Sequence, residues 1–217
     1  MTPIPPKRNL MVAEQIEQRG VHDRRVLDAM RQVPRELFVP PEQRNWAFHD
    51  GPLPIGWKQT ISQPYIVAFM TEQLRLTGSE KVLEVGTGSG YQAAVLSLLA
   101  QAVHTVELVP ELAEKARLNL LGLGYKNVVV HTGDGTLGWP PEAPYDGIIV
   151  TAAAPRPPQP LLDQLSEDGR LIIPIGHQEG QLLQLWHKAG NHFEHEDVLP
   201  VTFVPLRGQF GWKEEEW

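Results

Sequence analysis

The stretch 81–91 (KVLEVGTGSGY) constrains the fold of this chain more than any other part of its sequence. It begins with a short apolar run of the kind that forms a buried parallel strand. Glycines at positions 86, 88 and 90 then break the run, and residues 91–99 have the pattern of a helix. Glycines in such a turn let a ligand approach backbone N–H groups, because no Cβ stands in the way. The stretch therefore predicts an α/β fold that seats a nucleotide-like ligand.

The spacing of these glycines indicates the kind of ligand. A dinucleotide-binding turn, G-x-G-x-x-G/A, would require glycine or alanine at the position that Tyr91 holds. The spacing here is G-x-G-x-G, and Glu84 stands two residues before the first glycine. This pattern is similar to the cofactor-binding motif of S-adenosylmethionine-dependent methyltransferases. Taken alone, the turn also fits a strand, turn and helix whose glycines bind nothing.

The composition argues against several classes of protein. A length of 217 residues predicts one core with an added segment. A net charge of −7 argues against binding along a nucleic-acid backbone, which requires clustered Lys and Arg. No apolar run approaches the roughly 18 residues of a membrane span, and the first residues lack the apolar stretch of a secretory signal. We therefore expect a cytoplasmic protein that binds neither nucleic acid nor membrane.

The chain before the glycine turn predicts two helices and an irregular wall. Residues 9–18 place apolar side chains on one helical face, and Asp23 suits the N-cap of a second helix that Pro34 closes. The segment 34–63 lacks periodicity, but its two tryptophans and other large apolar residues argue against disorder. We interpret it as an ordered active-site wall, and a connector packed on the core is the alternative. Residues 1–8 are expected to be flexible.

The rest of the chain alternates predicted helices and strands. Helices are predicted at 65–74, 91–99, 110–122 and 160–165. Strands are predicted at 82–85, 103–108, 127–131, 145–150, 169–175, 181–187 and 196–204. This order predicts an α/β fold with a doubly wound, mostly parallel seven-stranded sheet of the Rossmann-like type and an N-terminal helical addition. We expect a single domain over 1–217, with the helices and wall in 1–63, the core in 64–212 and a mobile tail in 213–217.

Three predicted strand ends carry the groups that an adenosyl ligand requires. The glycine turn closes the first strand. Glu107, 21 residues after Gly86, ends the second, where an acid can accept both ribose hydroxyls. Asp134 follows the third and can accept a hydrogen bond from an adenine amino group. Glu107 could instead cap the helix that begins at Pro110, and Asp134 is a favoured turn residue. Their occurrence at three strand ends of one sheet favours the cofactor site.

Other chemistries find little support in the sequence. The histidines form no H-x-x-x-H or H-E-x-x-H pattern, so we expect solvated surface histidines and predict no metal site. No G-x-S-x-G nucleophile elbow occurs. Ser62 lies just before Pro64, which suits the first position of a helix, so simple capping is the alternative to any catalytic role of Ser62.

Segments on both sides of the glycine turn resemble one family. They are 53–56 (LPIG), 59–64 (QTISQP), 83–91 (LEVGTGSGY), 133–135 (GDG), 145–146 (YD) and 203–206 (FVPL). Through these segments the chain resembles the protein-L-isoaspartate (D-aspartate) O-methyltransferases over nearly its whole length. The glycine motif is shared by many methyltransferases, whereas TISQP and VPL are more particular to this family. The chain departs from the family pattern in the substrate wall, at Trp57-Lys58 and Asn45-Trp46.

The resemblance implies methyl transfer from S-adenosylmethionine, with S-adenosylhomocysteine as product, to the free α-carboxylate of L-isoaspartyl residues in damaged proteins and peptides. It implies Ser62 as the catalytic residue at the substrate carboxylate, and we expect a monomer. The implied cofactor-binding residues are Gln59, Thr60, Ile61, Glu84, Gly86, Thr87, Gly88, Ser89, Glu107, Leu108, Asp134 and Gly135. The implied substrate-binding residues are Ile55, Ser62, Val204 and Leu206.

Two other functions stay open at this point. One is a methyltransferase for a small molecule or RNA, which the TISQP segment opposes and, for RNA, the acidic charge opposes as well. The other is a catalytically silent module that binds damaged polypeptide. An intact glycine turn, Glu107 and Asp134 would serve no purpose in such a module.

Overall fold

A seven-stranded sheet forms the centre of the computed structural model, which describes residues 6–217. Its strands are β3 (Lys81–Val85), β4 (Ala102–Glu107), β5 (Val128–Thr132), β6 (Tyr145–Val150), β7 (Leu165–His177), β8 (Gly180–Ala189) and β9 (His192–Val201). Their order across the sheet is β5-β4-β3-β6-β7-β8-β9. Strands β3 to β7 pair in parallel, and β8 and β9 pair antiparallel. The predicted mostly parallel, doubly wound sheet is therefore confirmed.

The direction of winding changes beside β3. The chain leaves β3 for β4 and β5 on one side and then returns to β6 and β7 on the other. In open sheets of this kind, a ligand binds outside the carboxyl ends of the strands at such a switch point. The carboxyl end of β3 is the glycine turn, so the topology places the predicted ligand site there.

Helices cover the two faces of the sheet unequally. They are α1 (Pro6–Leu10), α2 (Arg24–Gln32), α3 (Pro64–Gln73), α4 (Tyr91–Ser97), α5 (Pro110–Gly122) and α6 (Gln159–Asp163). Side chains alternate across a strand, so Val82 of β3 packs in the larger core with residues of α2 to α5. Leu83 and Val85 point the other way and pack in a second core with Leu161 and Leu162 of α6. No helix within residues 6–217 is both long and apolar enough to cross a bilayer.

The N-terminal helices agree with the sequence prediction except at their start. Asp23 caps α2, because its carboxylate accepts hydrogen bonds from the backbone N–H groups of Arg25 (2.8 Å) and Val26 (3.4 Å). The preceding helix continues from α1 through a π-helical segment and a 3-10 turn to Gly20. Residues 1–5 lie outside the described part. The expected flexibility was wrong for residues 6–8, since they are helical and Arg8 is buried in an ion pair with Glu36.

The segment predicted as an irregular wall contains a β-hairpin that the sequence did not reveal. Strands β1 (Leu53–Gly56) and β2 (Gln59–Ile61) pair antiparallel, and a two-residue turn joins them. Both turn residues, Trp57 (φ 49°) and Lys58 (φ 57°), adopt the left-handed conformation that usually calls for Asn or Gly. The signal for this turn is therefore missing from the sequence. The hairpin leads directly into Ser62 and α3.

Two histidines depart from the expectation of solvated surface positions. His104 of β4 is buried, and its Nδ1 lies 3.1 Å from Nε2 of His131 on β5. Burial lowers the pKa of both imidazoles below the ordinary value. Within residues 6–217, no three His, Cys, Asp or Glu side chains come together as a metal site. At the C-terminus, a 3-10 turn at Glu214–Glu216 brings Trp217 against His177.

Candidate active site

A cavity lies at the carboxyl ends of β3, β4 and β6, where the winding of the sheet changes. The segments after β2 and β9 close its remaining sides. Most of the residues predicted for the site line it: Gln59, Thr60, Ile61, Ser62, Glu84, Gly86, Thr87, Gly88, Ser89, Glu107, Leu108, Gly135, Val204 and Leu206. We call this space the cofactor cavity. The tertiary structure thus brings together residues from five separate parts of the chain.

The glycine turn after β3 has a conformation and an environment that exclude other residues. Gly86 and Gly88 have φ values of 94° and 52°, which side chains disfavour. A Cβ on Gly86 would lie 2.4 Å from Oγ1 of Thr151. That hydroxyl donates a hydrogen bond to the carbonyl of Gly86 (2.7 Å), so Thr151 closes the turn from β6. The turn therefore presents bare backbone to the cofactor cavity.

Glu107 ends β4 and joins the glycine turn to α5. Its carboxylate accepts hydrogen bonds from the backbone N–H groups of Gly88 (2.8 Å) and Val109 (3.0 Å). The residue is 7 % exposed and lines the cofactor cavity. A carboxylate offers about four lone-pair sites, so these two bonds leave capacity for hydroxyl donors of a ligand. Its bond to Val109 holds the residue before α5 and caps no N–H group within the helix, so the capping alternative does not describe this structure.

Glu84 is an acid buried without a partner. It is fully buried, and within residues 6–217 neither carboxylate oxygen has a hydrogen bond. Burial raises its pKa to about 8; the nearby Thr105 hydroxyl offsets part of the rise, and the charge of Glu107 adds to it. Glu84 lines the cofactor cavity, where a positively charged ligand would favour its ionised form.

Replacing Glu84 with glutamine should change how stability depends on pH. The folded pKa of about 8 exceeds the usual 4.5, so the native state holds a proton that the unfolded state loses. The wild-type protein therefore loses stability as pH rises from about 4.5 to about 8, at up to about 1.4 kcal/mol per pH unit. Glu84→Gln should lack this loss. Thermal unfolding of both proteins without ligand, over this pH range, tests it.

The comparison contains its own control. Well below the usual pKa of 4.5 Glu84 is neutral in both states, so there the two proteins should unfold at similar temperatures. Above a pH of about 8 the Glu84→Gln protein should be the more stable one. Parallel curves for both proteins across the whole range would contradict a raised pKa for Glu84.

Ser62 lies between the cofactor cavity and a second depression. It follows β2 and precedes α3, whose N-cap is Gln63. Ser62 itself does not cap the helix, so the capping alternative does not describe this structure. The second depression, which we call the groove, runs between the start of α3 and residues 199–204, and it shares Thr60, Ser62, Thr151 and Val204 with the cofactor cavity. Ser62 therefore faces both spaces.

Two of the predicted site residues do not line the cofactor cavity. Asp134 caps a 3-10 turn, and its carboxylate accepts hydrogen bonds from the backbone of Thr136 (2.9 Å) and of Gln209 (2.7 Å). It therefore behaves as the turn residue that the sequence allowed. Ile55 lies beside the turn, where its Cδ1 would be 3.4 Å from a Cβ on Gly88, and it lines a separate depression with Ser89.

Several residues of the cofactor cavity were missed by reasoning from the sequence. They are Val67, Val85, Tyr91, Gln92, Val106, Val109, Thr151, Ala152, Pro205 and Arg207. Thr151 carried a usable signal, because it immediately follows a predicted strand, where ligand-binding residues of parallel sheets collect. Arg207 carried none, since its segment has neither a motif nor periodicity.

The strand order, the glycine turn and the acid at the end of the next strand define a Rossmann-like methyltransferase. Residues 6–211 match the family model described as Protein-L-isoaspartate(D-aspartate) O-methyltransferase (PCMT). The chain belongs to this family.

Similar proteins span nearly the same length. Protein-L-isoaspartate O-methyltransferase 1 of Syntrophobacter fumaroxidans is 56% identical, over 95% of this chain and 96% of its own. Protein-L-isoaspartate O-methyltransferase of Methanoculleus marisnigri is 54% identical, over 96% and 95%. Among solved structures, a protein-L-isoaspartate O-methyltransferase matches with a TM-score of 0.85 at 31% identity, over 94% of this chain and 67% of that one.

A second solved structure carries a ligand. It is a putative protein-L-isoaspartate O-methyltransferase from Plasmodium falciparum in complex with S-adenosyl-L-homocysteine. It matches with a TM-score of 0.78 at 26% identity, over 92% of this chain and 98% of its own. The fold of the present chain is therefore that of proteins named for the same activity.

Proposed function

We propose that this protein transfers a methyl group from S-adenosylmethionine to the free α-carboxylate of L-isoaspartyl residues in damaged proteins and peptides. Such residues arise from aspartate or asparagine through a succinimide, and their methyl esters return to it readily. Hydrolysis of the succinimide then restores some normal aspartate, so the reaction repairs the chain. One observation carries the proposal: Ser62 faces both a cavity bounded by a methyltransferase glycine turn and an open groove.

The residues of the cofactor cavity fit S-adenosylmethionine. A Cβ on Gly86 would strike Thr151, so the bare turn is required by the structure and leaves backbone accessible to the donor. Glu107 retains acceptor capacity for ribose hydroxyls, and Glu84 lacks a counter-charge that a cationic ligand provides. When bound, S-adenosylmethionine supplies a methyl group activated by its sulfonium. The residues Gln59 to Ile61 and Leu108 would enclose it from either side.

The acceptor needs no general base. An aspartate-type carboxylate has a reference pKa of about 3.9 and is ionised at neutral pH, so it is already the nucleophile. The task of the protein is to bring this anion out of water and hold it in line, and the desolvation is costly unless donors meet the anion. Ser62 offers a hydroxyl. The N–H groups of Tyr65 and Ile66, in the first turn of α3, lie beside the groove without acceptors within the helix.

Other features of the proposal concern the protein as a whole. We propose that its macromolecular substrates are isoaspartyl proteins and peptides, that it acts as a monomer in the cytoplasm, and that it binds neither nucleic acid nor membrane. We also propose that the chain forms one domain, in which residues 1–63 supply the N-terminal helices and the wall of the active site. Sedimentation velocity at several concentrations tests the monomeric state. A monomer keeps the sedimentation coefficient of a 24.3 kDa protein, whereas dimerisation raises that coefficient.

A pair of peptides tests the reaction itself. The peptides have the same sequence, and one contains L-isoaspartate where its twin contains ordinary aspartate. With methyl-labelled S-adenosylmethionine, we expect base-labile methyl ester on the isoaspartyl peptide alone. Equal labelling of both peptides would contradict the repair function while leaving the methyltransferase assignment intact. Failure to bind S-adenosylhomocysteine in calorimetry would contradict both.

A further inference from the structure

Arg35 is a buried cation with no role in the reaction proposed above. Its side chain is fully buried, and within residues 6–217 no carboxylate lies within ion-pair distance of it. Its Nη1 is buried with no hydrogen-bond partner in the described chain. Arg8 nearby is buried too, but it forms an ion pair with Glu36 (2.6 Å). A buried charge without a counter-charge lowers the free energy of unfolding. We therefore expect Arg35 to have a function that offsets this loss of stability.

The guanidinium of Arg35 joins three parts of the active site. Its Nε donates a hydrogen bond to the carbonyl of Ala47 in the wall (2.8 Å), and its Nη2 donates one to the carbonyl of Ser62 (2.8 Å). Its central carbon lies 4.8 Å from the ring centre of Tyr91, the first residue after the glycine turn. Arg35 lines neither the cofactor cavity nor the groove, so it acts from behind Ser62.

We propose that Arg35 is a positioning residue for the methyl transfer. It holds Ser62 in place at the edge of the cofactor cavity. The inference rests on the proposed role of Ser62 at the substrate carboxylate. Ser62 connects a short strand to a helix and has no side-chain hydrogen bond in the described chain, so its placement depends on its backbone. The bond from Arg35 to the Ser62 carbonyl supplies that restraint, and the bond to Ala47 anchors Arg35 itself.

The chemistry of arginine suits this function in two ways. The planar guanidinium presents several donors in a fixed geometry, so it can hold two carbonyls at a constant separation, which a lysine ammonium cannot do as rigidly. Arginine also stays charged when buried.

A double-mutant cycle tests whether Arg35 acts through Ser62. Arg35→Met keeps the length of the side chain and removes both hydrogen bonds and the charge. Alone, it should lower kcat on the isoaspartyl peptide about 10- to 100-fold, the value of a hydrogen bond from a charged group. In the Ser62→Ala background it should lower the residual kcat by less than about threefold, because the hydroxyl it positions is absent. Affinity for S-adenosylhomocysteine should change less than about threefold in each variant.

Two further variants separate positioning from stability. Arg8→Met removes a buried arginine that contacts Glu36 and the carbonyls of Arg31 and Gln32 but not Ser62. It should lower the unfolding temperature and leave kcat unchanged at temperatures where it is folded. Arg35→Lys keeps the charge and replaces Arg35→Met in the cycle if Arg35→Met fails to fold. It should lower kcat about 5- to 20-fold in the wild-type background and leave kcat of Ser62→Ala unchanged.

The outcomes distinguish the proposals from each other. Equal losses of kcat on replacing Arg35 in the wild-type and Ser62→Ala backgrounds would overturn the positioning role, as would an equal loss in Arg8→Met. Unchanged turnover in Ser62→Ala alone would overturn the role of Ser62 and that of Arg35 with it. None of these results bears on the proposed reaction. That reaction is tested in the same assay by whether the wild-type protein prefers the isoaspartyl peptide to its aspartyl twin.

Discussion

Ser62→Ala is expected to lower kcat on an isoaspartyl peptide by about 100-fold, the cost of removing one donor aimed at a reacting anion. The hydroxyl of Ser62 is one of the side-chain donors at the junction of the cofactor cavity and the groove, where Thr60 and Thr151 also lie. Without it the carboxylate enters a partly dry site with one donor fewer, and the in-line arrangement is held less well. The affinity for S-adenosylhomocysteine should change by less than about threefold, because the glycine turn and Glu107 remain intact.

A matched variant controls for the loss of a serine hydroxyl as such. Ser97→Ala removes a serine on α4 whose hydroxyl donates to the carbonyl of Ala94 (2.7 Å), away from both spaces. It should leave kcat and ligand affinity unchanged. Single-turnover methylation, with S-adenosylhomocysteine affinity measured by calorimetry, separates the chemical step from binding. Wild-type turnover in Ser62→Ala would reduce Ser62 to a part of the wall.

Glu107→Ala should weaken binding of S-adenosylhomocysteine by about 100-fold or more, because it removes a buried charged acceptor. The carboxylate holds the N–H groups of Gly88 and Val109, so it shapes the glycine turn as well as meeting the ligand. Its removal leaves two partly buried backbone donors without an acceptor and takes away the acceptor for the ribose hydroxyls. Glu107→Gln retains one carbonyl acceptor and should lose less, about tenfold.

Unfolding measurements decide between the two functions of Glu107. If the carboxylate only holds the glycine turn and Val109 in place, Glu107→Ala should lower the unfolding temperature of the free protein, and the folded variant should bind S-adenosylhomocysteine as the wild type does. If it also meets the ligand, the loss of affinity should persist at temperatures well below unfolding. Glu111→Ala changes an exposed acid in the first turn of the same helix and should leave affinity unchanged.

Local patterns in the sequence predicted most of the regular structure. Strand β6 agrees with its prediction residue by residue, because an apolar run between turn residues identifies a buried parallel strand. The cap at Asp23 followed from a single residue type in front of an apolar helical pattern. Strand β7 begins at Leu165, four residues before its prediction, because its pairing with β6 resumes across an irregularity whose extra residues lie in β7: Tyr145 pairs with Leu165, and Gly147 pairs with Arg170. Such an irregularity depends on the partner strand.

The hairpin β1–β2 was missed for a different reason. Its turn residues, Trp57 and Lys58, carry none of the Asn or Gly signals that mark a two-residue turn. Burial of Leu53 and Ile55 on one face of β1 stabilises the hairpin instead. Packing of this kind is supplied by residues far away in the chain, so no local pattern announces it.

By itself, the sequence determined the class of fold, the glycine turn and the position of Glu107 beside that turn, because each rests on local spacing and on strand ends that a parallel sheet brings to one edge. The expectation for Ser62 came from the family resemblance alone. Only the tertiary structure decided that Asp134 bonds to Gln209, that Glu84 is buried without a partner, and that Arg35 holds the carbonyl of Ser62. The reason is physical: burial and hydrogen-bond partners come from residues distant in the chain, and 27 positions separate Arg35 from Ser62.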